Sequence, residues 1–420
     1  MAISARGEKV KRRMRTDSGV KMSEVSGRNT GGGIRTGHAG VAEWTVLLTI
    51  YMATDVFLSY PSRVAQEAAE AAWMVPLISG AIAALAYVAI HWMMKGHPTE
   101  SLLDIVERAL TPVGSIVVGL IGFAYFVLQT ALVMREFTET VVATVLPETP
   151  AAVVTILFLM IVMYYAYKGL EGMTRVAILI SAFLVIGFGL LLILPLTWFH
   201  SYLLTPILGK GLGAVALNGL TNTSMFAGVF ILAVMRSSVR NQRHTLRIGL
   251  ISTLASALIM SVVLLLFVGT FAVAVTGKVP FPMYQLARLI YVGRFVQRVE
   301  SLYVFIWTAA AIMKMGLGLW IAAYLYARAF HMPTMRPLIL PMGMMLFVLS
   351  FLPPDFTTVI QLSGELLERF GWAVTIALPV IALLVATIVA SIRRRAHGEG
   401  EKDDPKDDHG FTERGGAGAQ

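Results

Sequence analysis

Long runs of apolar residues, separated by short polar segments, fill the chain between residues 41 and 394. Within each run the apolar positions are continuous and do not alternate with polar ones, which predicts membrane-spanning helices and excludes a transmembrane β-barrel. Residues 62–71 are expected to form a polar loop, and residues 96–112 an amphipathic helix at the membrane surface. We predict ten spans, at residues 44–61, 72–94, 114–146, 151–167, 176–196, 217–235, 248–275, 302–326, 338–352 and 372–392.

The first predicted span carries a carboxylate near its middle. Asp55 lies about 16 Å along the helix axis from Trp44, at 1.5 Å per residue, and therefore close to the bilayer midplane. Charged side chains at this depth are costly and usually face an interior cavity. Because the run stops at Tyr60 and Pro61, we predict a discontinuous helix that lines a site, with Thr54 and Asp55 at the break. The alternative is a protonated or water-paired Asp55 packed against a neighbouring helix.

The sixth predicted span is interrupted in a similar way, because polar residues and glycines enter it at 218–228. The first and sixth spans would each open one half of five spans, as in transporters built from inverted repeats with a ligand site between the two broken helices. Amide groups left free at such breaks can hold a carboxylate, helped by the helix dipole. The alternative is that Gly219 and Gly228 only permit close helix packing.

The composition agrees with a polytopic α-helical membrane protein. The chain has 420 residues, of which 56% are hydrophobic and 14% charged. Its net charge of +9 is concentrated in the first forty residues, the loops and the arginines at 393–395, which suits anionic lipid better than nucleic acid. We expect a transmembrane domain at 41–394 between disordered tails at 1–40 and 395–420, with both termini cytoplasmic.

The sequence shows no motif that is typical of an enzyme. There is no cysteine, so thiolate metal sites and disulfides are excluded. The histidines lie near span ends without metal-ligand spacing, and neither a glycine-rich phosphate loop nor a catalytic carboxylate pair is visible. We therefore expect no enzymatic activity, no metal and no cofactor.

Four short stretches carry a resemblance to a known family. They read LPETP at 146–150, GLEGMTRVA at 169–177, PFPMYQLAR at 280–288 and RVESL at 298–302, with Trp307 following. Together they make the chain resemble the spore germination permease family, the B subunits of bacterial germinant receptors, within the amino acid–polyamine–organocation superfamily. The resemblance covers about residues 42–394.

This resemblance implies a ten-span inverted-repeat fold in the inner membrane of a spore-forming bacterium. It also implies a sensing role, in which an amino acid or similar nutrient binds and the bound state is passed to an A-type subunit and a lipoprotein C-type subunit. Two other functions remain open: a transporter of an amino acid or amine driven by protons through Asp55, and a scaffold whose pocket no longer binds a ligand.

Both broken helices depart from the family pattern. Members commonly have glycines in the first unwound segment, where this chain has Thr54 and Val56 around Asp55. An acidic residue often follows the glycine of the sixth span, whereas Val229 follows Gly228 here. We hypothesise that the acid needed to meet an ammonium group has moved to Asp55.

Lys314 lies about 18 Å into the eighth predicted span by helical rise. In sodium-coupled relatives of this fold, the first and eighth spans meet at a cation site. We therefore predict that Lys314 substitutes for the ion there, as a fixed positive charge paired with Asp55. The alternative is that Lys314 snorkels toward the cytoplasm.

The remaining candidates are polar residues at the two breaks and on the third span. Tyr125 and Gln129 share a helix face and can bond either a ligand or a neighbouring helix. Thr223 and Ser224 supply hydroxyls at the entry to the sixth span. The predicted ligand-binding set is Thr54, Asp55, Tyr125, Gln129, Thr223, Ser224 and Gly228.

Overall fold

The computed structural model describes residues 37–97, 99–276, 281–290 and 299–400. Over these residues the fold is helical, with one isolated parallel β-bridge between Ala39 and Val239. The predicted tails lie outside the described residues except for 37–40 and 395–400. The helices are Val41–Ala53, Tyr60–Ala68, Met74–Met93, Leu102–Leu110, Pro112–Thr144, Ala151–Tyr167, Gly169–Ile193, Leu212–Thr221, Gly228–Val234, Thr245–Thr270, Val273–Thr276, Pro282–Arg288, Val299–Ala329, Ile339–Ser350, Phe356–Leu362, Arg369–Trp372 and Leu378–Gly400.

Short 3-10 and π-helical segments extend or join these helices. The 3-10 segments are Thr54–Phe57, Ala69–Ala71, Leu194–Trp198, Ser201–Leu204, Asn222–Phe226, Arg236–Ser238, Gln242–His244 and Arg336–Leu338. The π-helical segments are Ser363–Glu368 and Ala373–Ala377. Three of these segments contribute residues to a polar cavity at the break of the first span: Thr54–Phe57, Asn222–Phe226 and Ser363–Glu368.

In the described part of the chain, the apolar helices follow the order of the ten predicted spans. Six of them are continuous and long enough to cross a membrane: Met74–Met93, Pro112–Thr144, Gly169–Trp198, Gln242–Thr270, Glu300–Ala329 and Phe356–Ile392. These are the second, third, fifth, seventh, eighth and tenth spans. The fourth and ninth are the shorter apolar helices Ala151–Tyr167 and Arg336–Ser350, and the first and sixth are bent pairs. The all-α membrane fold with broken first and sixth spans is confirmed.

The first span is broken at the predicted carboxylate. Its helix Val41–Ala53 tightens into the 3-10 turn Thr54–Phe57 and starts again at Tyr60, and the two parts meet at 68°. Pro61 sits in the first turn of the second part, where its missing N–H costs no helical hydrogen bond. The prediction that the span ends at Pro61 and that 62–71 form a loop is therefore wrong, because the proline begins a helix.

The sixth span breaks over the 3-10 segment Asn222–Phe226, and its two parts meet at 43°. At Gly228 a Cβ atom would lie 2.8 Å from Sδ of Met52 in the first span. The absence of a side chain at this glycine therefore lets the two broken spans approach each other.

The tenth span begins much earlier than predicted. Its first helix starts at Phe356 and is capped by Asp355, whose Oδ1 accepts the Thr358 N–H at 2.7 Å. The prediction that the tenth span begins at residue 372 is wrong, because Glu365, Glu368 and Arg369 lower the local hydropathy of a segment that is nevertheless helical.

Burial separates central from peripheral spans. Of the most apolar window of the eighth span, 72% is buried inside the protein, against 22% for the fifth. The third and eighth spans pack along each other at the centre. Leu179, Val185 and Ile186 of the fifth span are exposed, as expected of a lipid-facing helix.

The amphipathic surface helix is present as Leu102–Leu110, capped by Ser101, whose Oγ accepts the Asp104 N–H. Its predicted start signal includes Pro98, which lies outside the described residues. Nη2 of Arg328, at the end of the eighth span, bonds Oδ1 of Asp104 at 2.6 Å and Oε2 of Glu107 at 2.7 Å. Burial raises the pKa of Asp104, but hydrogen bonds from Ser101 and Arg328 outweigh it, so this pKa lies below its ordinary value.

The loop between the fifth and sixth spans packs on the second part of the first. Gly209 has a φ of +49°, and a Cβ there would lie 2.2 Å from the Ala68 carbonyl oxygen. We expect Gly209→Ala to lower stability by about 1–3 kcal/mol, because backbone cannot yield as a flexible side chain does. The thermal unfolding midpoint of the purified protein measures this. Gly213→Ala is the matched control, since nothing lies within 4 Å of its Cβ position; equal midpoints for the two variants would contradict the prediction.

Candidate functional site

A small polar cavity lies at the break of the first span. Its volume is about 30 Å³, room for about two water molecules at 10–15 Å³ each. A free amino acid does not fit this space. The lining residues are Asp55, Leu58, Tyr60 and Arg63 of the first span, Tyr125, Gln129, Val133 and Glu136 of the third, Met225 of the sixth, and Ser363, Leu367 and Glu368 of the tenth.

A buried ion pair forms one end of the site. Nζ of Lys314, in the eighth span, lies 2.8 Å from Oδ2 of Asp55, and both residues are buried. The ammonium also donates to the Tyr51 backbone oxygen at 3.2 Å and lies 4.6 Å from the centre of the Tyr51 ring. The lysine does not snorkel outward. A carboxylate, a carbonyl oxygen and a ring face surround its charge.

Hydrogen bonds join the spans around the cavity. The Tyr51 hydroxyl donates to Oε1 of Gln129 at 2.7 Å, which connects the first and third spans. The Tyr125 hydroxyl makes a long bond of 3.5 Å to the Ser224 backbone oxygen in the sixth span. Oγ of Ser224 donates to the Glu368 backbone oxygen at 3.2 Å. The walls from the first, third, sixth and tenth spans are therefore positioned by polar contacts as well as by packing.

A second ion pair closes the cavity between the first and tenth spans. The Arg63 guanidinium pairs with the Glu368 carboxylate, and its Nε donates to Oε2 at 3.2 Å. Its Nη1 donates to Oγ of Ser59 at 2.7 Å. Glu368 belongs to the π-helical segment Ser363–Glu368. Wide π turns of this kind occur often at functional sites.

Glu136 of the third span occupies the break itself. Its Oε1 accepts the backbone N–H of Ser59 at 2.6 Å, and the residue is 4% exposed. Ser59 immediately precedes the helix Tyr60–Ala68, so the carboxylate sits at the positive end of that helix. This amide, which we expected to be available to a ligand carboxylate, is bonded to a carboxylate of the protein.

The structure brings only part of the predicted site together. Asp55, Tyr125 and Gln129 line the cavity, Lys314 pairs with Asp55, and Ser224 bonds two of the walls. The other three predicted residues lie elsewhere. Oγ1 of Thr54 donates to the Ile50 oxygen, and Thr54 lines a separate apolar cavity. Oγ1 of Thr223 donates to the Leu220 oxygen. Gly228 packs on Met52.

Three charged lining residues were missed in the sequence. Arg63 lies in the segment 62–71 that we predicted as a loop, and Glu368 lies before residue 372, where we predicted the tenth span to begin. Glu136 lies within the third predicted span but was not among the predicted site residues. The available signal was the charge itself, since three ionisable residues next to long apolar runs mark an interior site.

Among residues 37–97, 99–276, 281–290 and 299–400, no group of three or more His, Cys, Asp or Glu is arranged to hold a metal ion. The side chains that line the cavity can form hydrogen bonds and ion pairs.

Solved transporters share this fold. A Na+-coupled sialic acid symporter in its substrate-bound, outward-open state aligns with a TM-score of 0.60 at 12% identity, over 81% of this chain and 78% of the symporter. MhsT in complex with L-phenylalanine aligns with a TM-score of 0.59 at 14% identity, over 84% and 99%. MHP1, a nucleobase-cation-symport-1 family transporter in a closed conformation, aligns with a TM-score of 0.58 at 11% identity, over 90% of this chain and 96% of MHP1. At these identities the likeness shows the fold alone.

Sequence relatives are spore germination proteins of Bacillus subtilis (strain 168). Spore germination protein KB is 23% identical over 66% of this chain and 76% of the relative. Spore germination protein YndE is 21% identical over 82% of this chain and 95% of the relative. Spore germination protein A2 is 24% identical over 77% of this chain and 87% of the relative. The family model described as "Spore germination protein" matches residues 40–359. The chain therefore belongs to the spore germination protein family.

Proposed function

We propose that this protein is the nutrient-sensing membrane subunit of a germinant receptor. It binds an amino acid or similar small molecule at the break of the first span and signals to A-type and C-type subunits. The observation that carries the proposal is the closed cavity of about 30 Å³, walled by four spans and crossed by ion pairs, at the depth where this fold can hold a ligand. The protein sits in the spore inner membrane with both termini cytoplasmic.

Binding requires the cavity to open. Separation of Arg63 from Glu368 moves the second part of the first span away from the tenth, and this enlarges the space beside Asp55, Tyr125 and Gln129. A ligand that binds only the opened form shifts the population toward it by its differential affinity. The signal to partner subunits is this change of population.

The position of Lys314 supports sensing over transport driven by a metal cation. Its ammonium is bonded to Oδ2 of Asp55 and to the Tyr51 oxygen, so the first and eighth spans are joined by a fixed positive charge. A mobile cation with the same partners would be released in each transport cycle, whereas a tethered ammonium is not. This favours a receptor that binds and switches over a cation-driven carrier.

Proteoliposomes containing only this protein test the proposal. Amino acids and small amines are screened first by the shift of the thermal unfolding midpoint, and each compound that stabilises the protein is then offered in radiolabelled form for uptake and counterflow. We expect stabilisation by at least one compound without flux of that compound. Ligand-specific flux would establish a transporter instead, and no stabilisation by any compound would support a scaffold without a ligand.

A further inference from the structure

We propose that Glu136 is a built-in counter-ion that selects ligands carrying an ammonium group and no free carboxylate. The ligand class is then a small primary amine, or an amino acid derivative whose carboxyl group is neutralised. This inference rests on the proposed function, because it names the chemistry of the ligand at the same cavity.

The first argument is the charge balance. The cavity is lined by three carboxylates, those of Asp55, Glu136 and Glu368. Lys314 pairs with Asp55 and Arg63 pairs with Glu368. Over the described part of the chain no lysine or arginine forms an ion pair with Glu136, although the Arg63 guanidinium is near enough to attract its carboxylate. Three carboxylates therefore face two cations, and with all of these groups ionised the site carries one excess negative charge, which is costly to maintain in a membrane protein.

The second argument is the position of the Glu136 side chain. Its Oε1 holds the N–H of Ser59 at 2.6 Å, at the start of the helix Tyr60–Ala68. A helix start of this kind is where a ligand carboxylate gains most from backbone amides and the helix dipole. Since the protein supplies that carboxylate itself, a zwitterion would bring a second negative charge to the same end of the helix.

Nearby charges do not restore the balance. Arg135, next to Glu136 in the chain, is paired with Glu139 at 2.8 Å, and its guanidinium lies 4.4 Å from the centre of the Phe351 ring in the ninth span. Glu67, on the same helix as Arg63, is exposed and adds a further negative charge outside the cavity. The net field at the break is therefore negative, which attracts a cation.

Matched pairs of ligands test the inference on the full-length wild-type protein. Binding of glycine and glycinamide, L-alanine and L-alaninamide, and L-leucine and L-leucinamide is measured by calorimetry in nanodiscs. The measurements are made at pH 6.5, below the α-amino pKa of about 7.7–8.0, so the amino groups are protonated. In at least one pair we expect the amide to bind about tenfold more tightly than the parent amino acid, or better.

Glu136→Gln is the accompanying variant, because it keeps the side-chain shape and an oxygen for the Ser59 N–H while removing the charge. We expect it to weaken binding of the preferred amide about tenfold and to abolish the preference over the parent amino acid. Glu148→Gln is the matched control, since it removes the same charge from an exposed position in the turn between the third and fourth spans and should keep the preference.

Each outcome decides the inference. Equal or tighter binding of the parent amino acids to wild type overturns it and leaves the proposed function standing. Retention of the amide preference in Glu136→Gln also overturns it. Absence of binding by both members of all pairs overturns the inference together with the proposed function for this ligand class. If Glu136→Gln does not fold, the wild-type comparison decides alone.

Discussion

Lys314→Met is expected to destabilise the protein by about 3–5 kcal/mol, the effect of breaking a buried ion pair from one side. Methionine matches the length of the lysine stem but leaves the Asp55 carboxylate without its partner at 2.8 Å. It also removes the donor to the Tyr51 oxygen. Of the polar contacts between the first and eighth spans at the break, the bond from the Tyr303 hydroxyl to the Phe57 oxygen at 3.2 Å remains. We expect a lower thermal unfolding midpoint and loss of ligand response.

The double variant Asp55→Asn with Lys314→Met separates pairing from packing. Because it removes both charges, we expect it to recover a large part of the stability lost in Lys314→Met. Lys95→Met is the matched control, since Lys95 is exposed and its substitution should leave the midpoint nearly unchanged. A double variant no more stable than Lys314→Met would show that the two charges do not stabilise each other.

Glu368→Gln is expected to open the cavity. It removes the negative partner of Arg63 across the first and tenth spans, and breaking a buried pair of this type costs about 3–5 kcal/mol when both partners are fully buried. The two side chains here are 15% and 10% exposed, so we expect a smaller effect. The ion pair is present in the closed state, so the substitution destabilises the closed state. The population of the open state then increases.

The absence of cysteine from the chain makes this opening measurable. Ser363→Cys places one thiol in the cavity wall, at a residue that is 8% exposed in the closed state. We expect maleimide to label this thiol about tenfold faster or more in the Glu368→Gln background, since a shift of about 1.4 kcal/mol changes a population ratio tenfold. Adding Arg63→Glu to Glu368→Arg should restore slow labelling. Equal labelling rates with and without the ion pair would exclude it as the closing contact.

The two breaks were predictable because polar or small residues interrupt apolar runs there. Asp55 stands alone in such a run, and Asn222, Thr223 and Ser224 stand together in another. The depth of Lys314 could be read from helical rise. Its pairing with Asp55 was predicted from the resemblance, which implies that the first and eighth spans meet, and it agrees with the cost of burying either charge alone.

The missing part of the site has a physical reason as well. Pro61 ends a helix when it lies in the interior and starts one when it lies in the first turn, and the sequence alone does not distinguish the two. A prediction of residues 62–71 as a polar loop places Arg63 outside the membrane, so this prediction does not direct its side chain to the interior. The π-helical turns of the tenth span depend on tertiary packing, so the position of Glu368 had no periodic signal.

The eighth span extends from the candidate site to the surface helix. It is one unbroken helix, Val299–Ala329, with Lys314 near its centre and Arg328 at its end. The Arg328 guanidinium at its end donates to the carboxylates of Asp104 and Glu107 on the surface helix Leu102–Leu110. One unbroken helix therefore connects the buried ion pair at Asp55 with the charged face of the surface helix.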